Sequence, residues 1–177
     1  MIEELAKAIP RSLRQRSGMV FYSGRQAFRG RAPLYVLGLN PGGDPHHYQR
    51  DETVEWHTRQ VLRKYPNEWS AYVDESWGGA DPGCSVMQRR VQHLLRTVGL
   101  SPARVPASNL VFVRSSKESD LGGELRNLAE LCWPFHEQVI ELLKPPVIVM
   151  CVKFCKKDLE VMVVGWAWVG PLTCCGA

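Results

Sequence analysis

The chain has 177 residues, of which 45% are hydrophobic and 23% are charged, with 15 glycines and 12 prolines. This composition fits one globular domain with a hydrophobic core, and it excludes a disordered chain, a collagen-like repeat and a coiled coil. The formal net charge is +4, and the whole excess comes from residues 1–31, where seven basic groups accompany two acidic ones. Such a basic segment either contacts a polyanion, most often nucleic acid, or forms a solvated surface.

The six cysteines form no CxxC pair, and the histidines lack the spacing of zinc ligands. This pattern predicts neither a structural metal nor a cofactor and is typical of free buried thiols. The N-terminus contains Glu3, Glu4 and Pro10 and has no continuous apolar stretch of the kind found in a signal peptide. We therefore expect a cytoplasmic protein with no membrane contact, associated with the nucleoid if it is bacterial.

The first elements follow from the spacing of apolar residues. Helical spacing predicts an amphipathic helix over residues 2–16, and an irregular basic segment follows over 18–33. The continuous apolar run at 34–39 predicts a strand buried on both faces, which is typical of a parallel sheet. A helix is then predicted over 54–73.

The second half of the chain continues the alternation. Ser85 is the expected N-cap of a helix that carries an apolar stripe and ends at Gly99. A second strand is predicted within 105–114. Helical spacing then extends over 125–142, where Pro134 should kink the helix or start a new one.

A third buried strand is predicted over 147–152, and a fourth within the uncharged segment 161–177. Because strands and helices alternate, the sequence predicts one domain over residues 1–177. We expect it to be a three-layer α/β/α sandwich with a short central parallel sheet.

A glycine-rich turn, Gly38-Leu39-Asn40-Pro41-Gly42-Gly43, follows the first predicted strand. Ligands of open parallel sheets bind beyond the carboxyl ends of the strands, but this turn lacks the spacing of a phosphate loop. Asn40 is the only side chain of the six that can orient a water or hydrogen-bond a substrate. The alternative is a tight turn in which Asn40 only adopts an unusual backbone angle.

Residues 37–42 (Leu-Gly-Leu-Asn-Pro-Gly) resemble the first catalytic motif of the uracil-DNA glycosylase superfamily. The closest branches are the mismatch-specific uracil/thymine and the single-strand-selective glycosylases. Residues 109–116 (Asn-Leu-Val-Phe-Val-Arg-Ser-Ser) look like the second motif, in which an Asn reads the uracil edge. Residues 132–152 are similar to a helix and the third strand of the same fold.

The resemblance implies base excision repair of DNA. Members flip a uracil out of DNA and cleave its N-glycosidic bond without a metal or cofactor, leaving an abasic site. Asn40 matches the position that holds the attacking water, and Asn109 matches the Asn that reads uracil. Four further residues would lie with their backbone against the uracil: Gly38, Leu39, Pro41 and Gly42.

Three side chains downstream of the first motif are further candidates. Tyr48 or Trp56 would stack on the flipped base, since the family places an aromatic residue there, and we expect Tyr48 in this role. Either residue could instead be ordinary loop packing. Asp44 is similar to the water-activating Asp of the classical branch, but its offset from the first motif differs.

The resemblance ends near residue 153, so residues 153–177 form an atypical tail. The family's final His-Pro-Ser or Asn-Pro-Ser loop has no counterpart, because no His follows His136 and no Asn follows Asn127. The sequence therefore predicts a monomeric, metal-independent uracil-DNA glycosylase-like hydrolase. The alternative is a non-catalytic nucleic-acid-binding protein with a degenerate glycosylase pocket.

Overall fold

Four strands form one mixed sheet in the computed structural model, which describes residues 1–46, 52–152 and 160–165. The strands are β1 (Tyr35–Gly38), β2 (Ala107–Asn109), β3 (Val147–Val152) and β4 (Glu160–Gly165), in the order β2-β1-β3-β4. β1 pairs in parallel with both β2 and β3, whereas β4 runs antiparallel to β3. The three parallel strands confirm the predicted α/β class with a short parallel sheet. The placement of helices as layers on both faces stays a prediction.

Five α-helices accompany the sheet in the part of the chain that the structure describes. They are α1 (Ile2–Lys7), α2 (Val54–Arg63), α3 (Ala71–Asp74), α4 (Val86–Thr97) and α5 (Glu124–Leu143), with short 3-10 helices at Arg11–Leu13, Pro102–Arg104 and Glu118–Leu121. The prediction for α4 is confirmed, since Ser85 and Gln88 form a capping box and Gly99 follows the helix with a φ of +70°. α5 continues through Pro134, so no new helix starts there. In the described ranges, no helix is long and apolar enough to cross a membrane.

Two predicted helices are shorter in the structure. The helix expected over 2–16 ends at Lys7, with a 3-10 turn at Arg11–Leu13. Pro10 lies between them and has no N–H to continue the helical hydrogen bonds. The helix expected over 54–73 is divided into α2 and α3.

The segment expected as an irregular lead-in, 18–33, contributes to the core. Phe21 and Phe28 are fully buried and meet edge to face, with ring centroids 5.3 Å apart. Met19 donates its N–H to the Phe112 carbonyl at 3.0 Å, and Tyr22 donates to Ala107 at 2.9 Å. The segment therefore lies along β2 and the loop that follows it, on the side of β2 away from β1.

Candidate functional site

The two segments that resemble glycosylase motifs lie side by side. β1 and β2 are parallel neighbours, and their register pairs Gly38 with Asn109. Both strands end at this pair, so the loops that follow leave the same edge of the sheet. The carboxyl-end loops are joined by three backbone hydrogen bonds: Leu110 N–H to the Gly38 carbonyl at 2.8 Å, Val111 N–H to Leu39 at 2.9 Å, and Ser115 N–H to Pro41 at 3.1 Å.

Gly38 allows the Asn109 side chain to lie against the end of β1. A Cβ atom at residue 38 would collide with Asn109 Oδ1. Any other residue at 38 would therefore displace the Asn109 carboxamide. The glycine and the asparagine are matched to each other across the two strands.

The Asn109 carboxamide is buried and only partly used. The residue is 4% exposed, and its Nδ2 is buried with no hydrogen-bond partner among the described residues. A buried unpaired donor costs about 1–3 kcal/mol, and native proteins leave few of them. Because ligands of parallel sheets bind at this edge, the unpaired donor makes Asn109 a candidate ligand-binding residue.

A buried histidine holds the backbone next to Asn109. His136 of α5 is fully buried, and its Nε2 lies 3.2 Å from the Leu110 carbonyl. Because a carbonyl can only accept, Nε2 carries the proton, and Nδ1 accepts from the Tyr35 hydroxyl at 2.8 Å. Burial lowers the pKa of His136 to about 4, so the ring is neutral near pH 7. His136 was not among the predicted site residues. The signal that could have identified it is a His on the apolar face of a helix, because such a side chain requires buried hydrogen-bond partners.

Asn40 fastens the first loop to the second. Its Nδ2 donates to the Pro41 carbonyl at 2.9 Å, to Ser115 Oγ at 2.9 Å and to the Val113 carbonyl at 3.4 Å. These bonds fix the orientation of the amide, and Oδ1 has no partner among the described residues. Within that part of the chain, Lys144 is the only residue other than glycine with a positive φ. The alternative that Asn40 serves a turn by adopting an unusual backbone angle is therefore wrong.

The backbone of the first loop is used on its carbonyl side. The carbonyls of Gly38, Leu39 and Pro41 accept the three bonds that join the loops. The N–H groups of Asn40 and Gly42 donate to no acceptor in the described part of the chain. Two backbone donors of the loop that carries Asn40 are thus unpaired in the described residues.

No protein-family model matches the chain, and no curated protein sequence matches it either. The function is therefore inferred from the arrangement of these loops and from the residues that resemble the two motifs.

Arg114 anchors the second loop to its surroundings. Its Nη1 donates to the Gly42 carbonyl at 2.6 Å, and its Nη2 lies 3.8 Å from a carboxylate oxygen of Glu52. The guanidinium is almost fully buried. It therefore links the first loop, the second loop and the segment that leads into α2.

The remaining predicted site residues have different outcomes. Asp44 accepts the His46 N–H at 2.8 Å and closes a turn, as a loop-stabilising Asp does. Trp56 is half-buried in the first turn of α2, where its backbone N–H donates to Thr53 Oγ1 at 3.2 Å. Tyr48 lies outside the described residues.

The basic segment is partly engaged in internal contacts. Arg25 donates from Nε to Asn67 Oδ1 at 2.7 Å and from Nη2 to the Tyr65 carbonyl at 2.8 Å. Arg16 lies 3.7 Å from Glu124 of α5. Arg11 is exposed, as are Arg29 and Arg31. The charge that reaches the surface is therefore smaller than the composition suggests.

Metal ligands do not cluster in the part of the chain that the structure describes, where no group of three or more His, Cys, Asp or Glu side chains could hold an ion. Burial raises the pKa of the Cys132 thiol to about 11, so this cysteine stays protonated. Cys84 is exposed. Among the described groups at the sheet edge, the neutral amides of Asn40 and Asn109 and two backbone N–H groups could act on a ligand.

Proposed function

We propose that the chain hydrolyses the N-glycosidic bond of a uracil flipped out of DNA, as a uracil-DNA glycosylase-like enzyme. The observation that carries this proposal is the buried, unpaired amide nitrogen of Asn109 beside Gly38. It lies at the sheet edge where parallel sheets bind ligands. The loop after β1 carries a second carboxamide, that of Asn40, whose oxygen has no hydrogen-bond partner among the described residues.

Asn109 supplies base recognition in this proposal. Its Nδ2 donates to uracil O4, and its Oδ1 accepts from uracil N3–H. Cytosine has a donor at N4 and an acceptor at N3, so each group of the amide would meet its own kind. Each unsatisfied buried group costs about 1–3 kcal/mol, and two of them would strongly exclude cytosine.

Asn40 supplies the water. Its Nδ2 is held by three acceptors, so Oδ1 is a fixed acceptor for one proton of a water molecule. A carboxamide is a poor base, which suits a reaction whose sugar develops oxocarbenium character before water attacks. The water then needs positioning more than deprotonation.

Backbone donors stabilise the leaving base. Uracil departs as an anion with charge on its oxygens, and fixed N–H groups lower the energy of such charge in a site with little water. The N–H groups of Asn40 and Gly42 are available for this role. DNA binding would draw on the exposed arginines of the basic segment.

The test is strand cleavage at uracil. A labelled oligonucleotide with one uracil is incubated with the protein, and abasic sites are then broken with alkali. We expect breaks with the natural chain and a rate lower by about 100-fold or more for Asn40→Ala, with affinity for the oligonucleotide retained. Asn127→Ala, on the exposed face of α5, is the matched control and should cleave normally.

Two results would count against the proposal. Binding of the oligonucleotide without breaks would favour the non-catalytic DNA-binding alternative, in which Asn40 only fastens the loops through its three donated bonds. Equal rates for Asn40→Ala and the natural chain would remove Asn40 from the reaction.

A further inference from the structure

A second concave surface lies between the end of α2 and the end of α3, in a region that the proposed glycosylase site does not use. Its volume is about 470 Å³. It is lined by two aromatic rings, a proline and three carboxylates: Tyr65, Trp69, Pro66, Glu68, Asp74 and Glu75. We call this surface the aromatic–acidic groove.

The two aromatic rings of the groove are stacked on each other at a tilt. The centroids of Tyr65 and Trp69 are 4.6 Å apart, and their planes are inclined by 35°. Arg25 fixes this corner, because its Nη2 donates to the Tyr65 carbonyl at 2.8 Å. Aromatic faces attract cations, and nearby carboxylates strengthen that attraction.

The carboxylates are held in place by neutral donors. Glu75 Oε2 accepts from Trp77 Nε1 at 2.8 Å, and Asp74 Oδ2 accepts from the Ser70 N–H at 2.8 Å. Among the described residues, no cationic side chain lines the groove. The negative charge of the groove is therefore positioned but not neutralised by its own lining.

His57 provides the second, independent observation. Its side chain is 6% exposed, and neither ring nitrogen has a hydrogen-bond partner among the described residues. The ring lies against both aromatic residues, with centroids 6.0 Å from Tyr65 and 5.8 Å from Trp69. Its Nε2 faces the second oxygen of Glu75, Oε1, at 3.6 Å, which is too long for a hydrogen bond.

His57 Nε2 and the adjacent Glu75 carboxylate together suit a ligand with N–H donors at this end of the groove. A neutral imidazole has one acceptor nitrogen, and the carboxylate oxygen is also an acceptor. An N–H group placed beside them would satisfy both acceptors, while its positive charge would lie near Glu75 and the Tyr65–Trp69 rings. Tetrahedral ammonium and planar guanidinium groups have this chemistry.

We propose that the aromatic–acidic groove binds an organic cation that carries N–H donors, namely a primary ammonium or a guanidinium group. The group belongs either to a free amine or to a lysine or arginine side chain of a peptide. The groove makes no use of the glycosylase assignment, so this site stands or falls separately from it.

The test is a titration of the whole chain followed by NMR at the Trp69 indole N–H, assigned with Trp69→Phe. The probes are butylammonium, N-acetyl-lysine N-methylamide and N-acetyl-arginine N-methylamide, with tetramethylammonium as the cation that lacks N–H donors. All titrations are made at one ionic strength. We expect saturable shifts in the millimolar range for the N–H cations and at least fivefold weaker binding of tetramethylammonium.

Two variants locate the effect. Glu75→Gln keeps an oxygen for Trp77 Nε1 but removes the charge, and it should weaken binding at least fivefold without lowering the melting temperature. Glu137→Gln, an exposed change on α5, should leave binding unchanged. Tighter binding of a blocked amino acid than of butylammonium would identify a peptide side chain as the source, and equal binding a free amine.

The proposal is overturned by shifts that rise linearly with every salt, including tetramethylammonium, because such shifts report screening only. It is also overturned if Glu75→Gln binds the probes as the natural chain does. In that case the Glu75 charge does not bind the cation, and the groove is not the site of the shifts.

Discussion

The unpaired amide of Asn109 can be tested through the free energy of unfolding, with no need for catalytic activity. Ser108, its neighbour on β2, is the matched comparison. Both residues are buried, but Ser108 Oγ donates to the Val20 carbonyl at 2.7 Å, whereas Asn109 Nδ2 has no partner among the described residues. The two positions therefore differ in hydrogen bonding and not in burial.

The expected changes have different signs. Asn109→Leu keeps the branching at Cγ and removes an unpaired donor, which is worth about 1–3 kcal/mol. A methyl group beside Gly38 is larger than the oxygen it replaces and consumes part of this gain. Ser108→Ala leaves the Val20 carbonyl unpaired and should cost about 1–3 kcal/mol. At roughly 2–4 °C per kcal/mol for a chain of this size, Asn109→Leu should melt at the natural temperature or a few degrees higher, and Ser108→Ala several degrees lower.

Thermal unfolding by circular dichroism and urea unfolding, both at pH 7.5, measure these changes. A uracil-containing oligonucleotide should raise the melting temperature of the natural chain and of Ser108→Ala, but much less that of Asn109→Leu. If Asn109→Leu loses as much stability as Ser108→Ala, the Asn109 amide stabilises the fold itself and is not kept for a ligand.

Two further predictions concern the buried His136 and two arginines of the basic segment, Arg11 and Arg25. Because burial lowers the pKa of His136 from 6.5 to about 4, the unfolded chain binds the extra proton first as the pH falls. Urea unfolding should therefore show a loss of about 3 kcal/mol between pH 6.5 and pH 4 that His136→Gln does not show. Arg11→Gln should reduce the salt dependence of DNA affinity by about one unit of log affinity per log salt at unchanged melting temperature. Arg25→Gln should instead lower the free energy of unfolding by at least about 2 kcal/mol, because its guanidinium bonds the loop after α2; equal behaviour of the two variants would contradict this division.

The parts of the fold that the sequence predicted are those with a strong local signal. The apolar run at 34–39 contains β1, whose four residues are all buried. Ser85 and Gln88 begin α4 with the reciprocal hydrogen bonds expected of a capping box. The order of strands along the chain was enough to predict parallel pairing, because helices separate β1, β2 and β3.

Of the parts that the sequence did not predict, one depends on a local break and the others depend on partners distant in the chain. Apolar spacing over 2–16 suggested one helix, but Pro10 interrupts the backbone bonds locally. Residues 54–73 also look helical, yet Arg25 binds the Val61 carbonyl in the last turn of α2 and the Tyr65 carbonyl beyond it, and holds a loop there. Neither the Tyr35–His136 hydrogen bond nor the burial of Phe21 has a signal in the spacing of neighbouring residues.

The same distinction applies to the candidate site. The sequence identified Asn40 and Asn109 through motifs that resemble a known family, but it could not show that they share one sheet edge. Parallel pairing of Gly38 with Asn109 brings them together, and His136 sets the position of the adjoining backbone. The sequence therefore named the two candidate residues, and only the structure shows the contacts that support them.

The two carboxamides differ in how the fold uses their amide nitrogens. Asn40 Nδ2 donates three hydrogen bonds that join the loops, so only its Oδ1 is left for the proposed water. Asn109 is more deeply buried, yet its Nδ2 has no partner in the described residues. Burial without hydrogen bonding is unfavourable, so a fold gains nothing in stability by retaining it. Gly38 leaves room for the Asn109 side chain, because a Cβ atom at residue 38 would collide with Asn109 Oδ1. A glycine and an unpaired amide matched across two strands are what the proposed contact with a uracil oxygen would use.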